Sequence, residues 1–215
     1  MLKLKNKSRQ KRASLTKGSL FIVSAPSGAG KTTLCRELCK SMPKLKHSVS
    51  YTTRPRRKGE RDGVHYYFVD RAEFRKMIEK GEFAEWAVVY GNFYGTSIRK
   101  IEELKNRGYD IILDIDIHGA MQMKQKYKDA VYVFILPPSI KVLQKRLRDR
   151  MSDSDDTIKE RLAEAKDEMR NYRNYDYVIV NDDIESALLE IESIIRASRA
   201  RTEKIDHALI GKLIK

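Results

Sequence analysis

Eight residues, Ala25-Pro26-Ser27-Gly28-Ala29-Gly30-Lys31-Thr32, constrain this chain more than any other feature. They follow the apolar run Leu20-Phe21-Ile22-Val23, which reads as a buried strand. They precede Leu34, Leu38 and Met42 at helical spacing, closed by Pro43. A glycine-rich turn between a strand and a helix can aim backbone N–H groups at one point, and the helix N-terminus adds partial positive charge there. Gly28 and Gly30 let the backbone approach an anion closely. The pattern is that of the phosphate loop G-x-x-x-x-G-K-[ST], with Ala25 at the first glycine position. Residues Ala25 to Thr33 are therefore expected to cradle a nucleoside triphosphate. Lys31 would reach its outer phosphates and Thr32 would hold Mg²⁺. An ordinary glycine-rich turn is the alternative that this placement disfavours.

Further apolar runs follow. Val49 to Tyr51, Tyr66 to Val69, Trp86 to Tyr90, Ile111 to Leu113, Val131 to Leu136 and Val178 to Val180 read as strands, with a turn signal at Gly91-Asn92. Helical signals lie between them. Asp70 with Glu73 opens a helix through Lys80, and Ile98, Ile101 and Leu104 mark another that ends at Gly108. Ser139 can cap a helix carrying Leu143 and Leu147. After the polar linker 152–156 a charged helix runs to about Asn171, and Ile184, Leu188, Ile191 and Ile195 form a final amphipathic one. Continuous apolar strands alternating with helices indicate an α/β fold whose parallel sheet is covered on both faces. A length of 215 residues suits one domain, or one with an inserted lobe. Asp114, just past the run 111–113, fits an acid beside the metal, acting through water, although a strand-end Asp capping a loop is the plainer possibility.

The phosphate loop does not name an acceptor, but other segments do. These are Ser48-Val49-Ser50-Tyr51-Thr52-Thr53-Arg54-Pro55-Arg56-Arg57-Lys58-Gly59-Glu60, Gly63-Val64-His65-Tyr66-Tyr67-Phe68, Phe83-Ala84-Glu85-Trp86 and Gly91-Asn92-Phe93-Tyr94-Gly95-Thr96. With Leu113 to Asp116, Ile135 to Ser139 and Val178 to Asp183 they resemble the guanylate kinases, in order, over about residues 18–198. The resemblance implies a P-loop kinase with a core at 18–47 and 97–198. It also implies an inserted mixed β/α GMP-binding lobe at 48–96 and a small helical lid at about 146–165. The implied reaction is transfer of the ATP γ-phosphoryl group to GMP, with Mg²⁺ accompanying ATP.

Residue by residue, the resemblance puts Arg54, Arg57, Tyr66 and Tyr94 on the GMP phosphate, where guanidinium forks suit a dianion. It makes Ser50, Glu85, Thr96 and Asp116 readers of guanine. That base offers N1–H and N2–H₂ donors that carboxylates can accept, whereas adenine offers none there. Arg146, Arg150 and Arg161 match lid-side arginines that, with Lys31, would neutralise the transferring phosphoryl group. Asn181 matches a position near the adenine of ATP. Two departures stand out: Met151 where the family usually has Gly after the second lid arginine, and His118 where relatives commonly carry Gln. His118 is expected to substitute as a hydrogen-bonding residue.

The net charge of +14, from 44 Lys+Arg against 30 Asp+Glu, would ordinarily suggest a polyanion partner. Most of it sits at the ends, with +7 in residues 1–18, +4 in 196–215 and +3 between. The segment 1–17 reads as a basic, solvated tail that resembles an organellar transit peptide in composition. Residues 199–215 read as a basic extension. Two cysteines, Cys35 and Cys39, one helical turn apart, suggest core packing rather than a disulfide scaffold. No apolar run is long enough to span a membrane. A cytoplasmic monomer or homo-oligomer acting on small molecules is expected. A non-catalytic interaction domain, a kinase for another phosphate ester and a nucleic-acid binder are the weaker alternatives.

Overall fold

The computed structural model describes residues 17–89, 91–149, 155–205 and 207–214. The basic tail up to residue 16, Arg150, Met151 and most of the 152–156 linker lie outside the described residues.

The chain builds a five-stranded sheet from β1 (Leu20–Ser24), β2 (Leu45–His47), β7 (Asp110–Asp114), β8 (Val131–Leu136) and β9 (Tyr177–Val180), in the order β2-β7-β1-β8-β9. Every pairing is parallel, as the unbroken apolar runs predict. β1 shows why its sequence does not alternate. Phe21 and Val23 face a cluster with Leu34 and Leu38 of α1 (Lys31–Ser41) and Ile191 and Ile195 of α7 (Ile184–Arg199). Leu20 and Ile22 face the opposite cluster, with Ile101 of α3 (Ile98–Asn106) and Met123 of α4 (Ile117–Lys126). Cys35 is buried in the first cluster and Cys39 packs against it. Both are free, and burial pushes their thiols up, Cys39 to about 11, so they act as packing residues.

A second, four-stranded sheet joins β3 (Tyr51–Thr52), β4 (Tyr67–Phe68), β5 (Phe83–Val89) and β6 (Asn92–Ser97) in the order β4-β3-β6-β5. α2 (Arg71–Glu79) closes it, its N-cap Asp70 accepting the Glu73 N–H at 2.7 Å. A separate aromatic core, with Phe74 and Phe83 rings 4.5 Å apart, supports this sheet. α5 (Ile140–Arg148), capped by Ser139, and α6 (Asp155–Met169) pack through Leu143, Leu147, Ile158 and Ala165.

The elements differ from the sequence expectation at several points. β2, β6 and α4 were not anticipated, and the strand expected at Val49 to Tyr51 is only Tyr51–Thr52. The terminal extension also holds a short helix, α8 (His207–Leu213). Arg199, at the start of that extension, is anchored to the core. Its Nε donates to Asp110 Oδ2 at 2.6 Å and its Nη2 to the Pro43 carbonyl at 3.0 Å. Asp110 Oδ1 accepts the Ser19 N–H at 2.7 Å, so one buried carboxylate joins the residue before β1 to β7 and α7. Asp110→Ala is expected to destabilise the fold by about 2–3 kcal/mol in urea unfolding, since it leaves a buried N–H and a partly buried cation without their acceptor. A loss below about 0.5 kcal/mol would mean the latch contributes little.

Candidate active site

The loops at the carboxyl ends of β1, β7, β8 and β9 meet at one end of the core sheet, where open α/β sheets bind ligands. The phosphate loop leaves β1 through buried Ala25 and Pro26 and makes a turn in which the Ala29 N–H donates to the Pro26 carbonyl at 3.1 Å. Gly28 and Gly30 have φ of 90° and 97°, left-handed values that a side chain disfavours. Gly30 is the N-cap of α1, so the loop delivers its backbone directly into a helix N-terminus. Ser27 is half-buried, and Thr32 and Thr33 are exposed in the first turn.

Asn181, 5% exposed at the end of β9, braces this loop. Its Nδ2 donates to the Ala29 carbonyl at 2.7 Å, and a Cβ on Gly30 would lie 2.4 Å from that nitrogen. Its backbone carbonyl accepts Arg146 Nη2 at 3.1 Å. The resemblance put Asn181 near adenine. In this fold its amide donor is committed to the loop backbone.

Lys31 Nζ donates to the Ile115 carbonyl beyond β7 at 2.6 Å. Thr32 Oγ1 donates to Asp114 Oδ2 at 3.0 Å, and His47 Nε2 lies 2.6 Å from Asp114 Oδ1. Burial opposes ionisation of Asp114, but His47, Lys31 and Thr32 outweigh it and hold the carboxyl below its ordinary range. His47 is not legible from sequence because its partner is 67 residues away on a neighbouring strand.

The acceptor side divides into two groups. Arg54 Nη2 pairs with Glu60 Oε1 at 2.7 Å, and its guanidinium carbon lies 5.4 Å from the Tyr66 ring centroid. The Glu60 hydrogen bond raises the Arg54 pKa, and Tyr94 adds to it. The Tyr66 and Tyr94 rings meet edge to face at 5.9 Å. The structure thus brings Arg54, Tyr66 and Tyr94 together. The Arg57 side chain is exposed, although its N–H donates to Glu60 Oε2 at 2.8 Å. Glu60, in the basic stretch 54–61, is the acid that both arginines engage.

The second group is buried. Glu85 is 4% exposed, and its Oε1 accepts the Thr96 hydroxyl at 2.5 Å. Burial pushes the Glu85 carboxyl up to about 7, with Thr96 opposing and Asp116 adding to the rise. Thr96, which the resemblance makes a guanine reader, donates its hydroxyl hydrogen bond to Glu85 here and so orients the carboxyl group. Asp116 caps α4, its Oδ1 accepting the Gly119 N–H at 2.7 Å. A Cβ on Gly119 would lie 2.6 Å from Glu85 Oε2 and 3.3 Å from Asp116 Oδ1, so the two carboxylates share the space that glycine leaves. Ser50 is half-buried beside β3, its carbonyl accepting the Tyr67 N–H at 2.9 Å.

On the lid side Arg146 Nη1 is buried and has no hydrogen-bond partner among the described residues. Such a guanidinium N–H suits an anion. Arg161 is half-buried on α6, and Arg150 lies outside the described residues. Glu168, also on α6, faces the loop: burial raises its pKa while the Ser27 N–H and Lys31 oppose. His118 is exposed on the first turn of α4 and makes no hydrogen bond to another described residue, so the expected substitute contact is not formed here.

Comparison with known proteins fits this geometry. The sequence model of the family described as guanylate kinase matches residues 17–198. A guanylate kinase of Geobacter metallireducens is 56% identical over 188 residues, covering 87% of this chain and 93% of that protein. One from Carboxydothermus hydrogenoformans is 49% identical over 194 residues, covering 90% and 95%. The crystal structure of guanylate kinase from Anaplasma phagocytophilum superposes with a TM-score of 0.72 at 36% identity, covering 89% of this chain and 91% of that one. With the family model spanning most of its length and relatives near half-identical, this chain belongs to the guanylate kinase family.

Proposed function

We propose that this chain catalyses the reaction of its family, phosphoryl transfer from ATP to GMP, with the phosphate loop holding the donor and the β3–β6 sheet holding the acceptor. The observation that carries the reading is the pairing of a glycine-rich helix N-terminus with two carboxylates, Glu85 and Asp116, packed side by side at the same end of the core sheet. The first suits a polyphosphate. The second suits adjacent N1–H and N2–H₂ donors, which guanine has and adenine lacks at those positions.

Arg54, Arg57, Tyr66 and Tyr94 take the GMP phosphate, and GMP displaces Glu60 as a partner of Arg54. Ser50 and Thr96 complete the base site around Glu85 and Asp116. Lys31, Arg146, Arg150 and Arg161 meet the phosphates between the two nucleotides, and Asn181 keeps the loop in shape beneath ATP. An oxygen of the GMP phosphate attacks the γ-phosphorus, its new P–O bond forms, and the bond to the β–γ bridging oxygen breaks with its electrons leaving on ADP. The attacking oxygen is already anionic near neutral pH, so no general base is required. The work of the protein is alignment, charge neutralisation and exclusion of water.

Thr32 Oγ1 and the Asp114 carboxylate, 3.0 Å apart, are hard oxygen donors of the kind Mg²⁺ takes. Among the described residues no group of three or more His, Cys, Asp or Glu gathers to hold a metal. The ion would therefore keep water and phosphate oxygens in its shell, as Mg²⁺ prefers. When bound it would supply charge neutralisation at the ATP phosphates. Among the described residues no helix is long and apolar enough to cross a membrane.

The test is ADP production from ATP with GMP, AMP, UMP and CMP in parallel. GMP should be preferred by at least about 10³-fold in kcat/KM over AMP, because a buried carboxylate facing adenine is left unpaired. Equal rates with all four would remove the base-reading assignment. EDTA should stop turnover and excess Mg²⁺ restore it; activity that persists under chelation would remove the metal.

A further inference from the structure

α4 lies against the outer edge of β5 and meets it at three positions on one face, Gly119, Gln122 and Lys126. Asp116 is its N-cap. Gly119 leaves the space that Glu85 fills. Gln122 Oε1 accepts the Trp86 N–H at 3.2 Å, and its Nε2 donates to the Trp86 carbonyl at 2.8 Å. Lys126 Nζ donates to the carbonyls of Phe83 at 3.2 Å and Ala84 at 2.8 Å. β5 is an edge strand, and its register with β6 shifts between Phe83 and Glu85. Gln122 thus supplies at Trp86 the two bonds a neighbouring strand would make, and Lys126 satisfies the carbonyls on the other side of Glu85.

We propose that Gln122 and Lys126 are positioning residues for guanine recognition, pinning the irregular segment Phe83 to Trp86 to α4 so that Glu85 stays beside Asp116. An edge strand with an irregular register is the part of a sheet most able to slip, and a one-residue slip turns every side chain to the opposite face. A slip at this place would take Glu85 out of the base site altogether. All four bonds go to backbone atoms, so they fix the position of the strand whatever its side chains. They also tie Glu85 to the helix whose N-cap is the second base reader. The inference rests on the reading of Glu85 and Asp116 as guanine acceptors and adds the device that keeps them together.

The experiment is steady-state kinetics of Gln122→Ala, Gln122→Glu, Lys126→Met and Lys126→Arg, with Glu85→Gln in parallel, using GMP and IMP, whose base lacks the 2-amino group. Gln122→Ala and Lys126→Met should each raise the KM for GMP roughly fivefold, the scale of lost backbone hydrogen bonds. They should keep the KM for ATP within about twofold and narrow the preference for GMP over IMP. Lys126→Arg, which can still donate to both carbonyls, should restore most of the loss. Gln122→Glu, which keeps the acceptor and loses the donor, should fall between, so the conservative pair gives an answer even if a truncated variant folds poorly. An unchanged KM for GMP, or GMP and IMP worsening in parallel, overturns the proposal. If Glu85→Gln abolishes the GMP preference while Gln122→Ala and Lys126→Met retain it, only the positioning role fails. If Glu85→Gln retains that preference, the reading of Glu85 fails and the proposal falls with it.

Discussion

Lys31→Ala is expected to lower kcat by roughly 10³-fold, the loss typical of removing one donor aimed at developing charge. The fold should be nearly untouched. In this structure Lys31 makes one hydrogen bond, to the Ile115 carbonyl, from a partly exposed site at the start of α1. Losing it costs about 1 kcal/mol, which for a chain of this size shifts Tm by about 2–4 °C. Alanine is also the best helix former, so α1 does not suffer. The pairing of a large kinetic effect with a small thermal one separates a phosphate-binding lysine from a structural one. Thermal melts with steady-state ADP production measure both. A variant of near-parental activity would remove the phosphate-loop assignment, and a collapse of Tm would make Lys31 a folding residue.

How much of this was legible depended on where each residue's partner lies. β1 and the phosphate loop could be read because strand, turn and helix are contiguous and each carries its own signal. β2 could not: it is three residues long, and only Leu45 is buried. α4 escaped because the face it buries includes Gly119 and Ala120 where a helix usually shows large apolar side chains. Those small residues allow Glu85 and the sheet to come close, so the feature that hides the helix from periodicity is the one that makes the base site. β6 carries Gly95, Thr96 and Ser97 as its buried residues, which read as turn or loop in isolation. Family resemblance supplied the names of Glu85, Thr96 and Asp116. It could not supply their present bonding, in which Thr96 serves Glu85 and Asp116 serves Gly119. The bracing contacts are the least readable. Asn181 meets Ala29 across 152 residues and Gln122 meets Trp86 across 36, and nothing in the local pattern of either residue announces its partner.

GMP binding is expected to weaken as pH falls below about 7. The guanine donors need Glu85 as a carboxylate, and burial has pushed that carboxyl up to about 7. Below that value each pH unit removes roughly nine-tenths of the remaining ionised form, so the KM for GMP should climb toward tenfold per unit. Above pH 8 it should be flat. The stability effect has the opposite sense to that of a paired surface acid. The folded-state value exceeds the ordinary glutamate value of 4.5, so between the two the native state holds more protons than the unfolded chain. Stability from this group is therefore greatest at the acid end and falls as pH rises through about 7. Glu85→Gln removes both effects: it should be more stable than the parent at pH 8, bind GMP roughly 10- to 100-fold more weakly there, and lose the protein's share of the pH dependence. The GMP phosphate itself titrates near ~6, which is why the comparison with Glu85→Gln is needed. A bend in the KM profile that survives unchanged in Glu85→Gln belongs to the substrate and would separate Glu85 from guanine recognition.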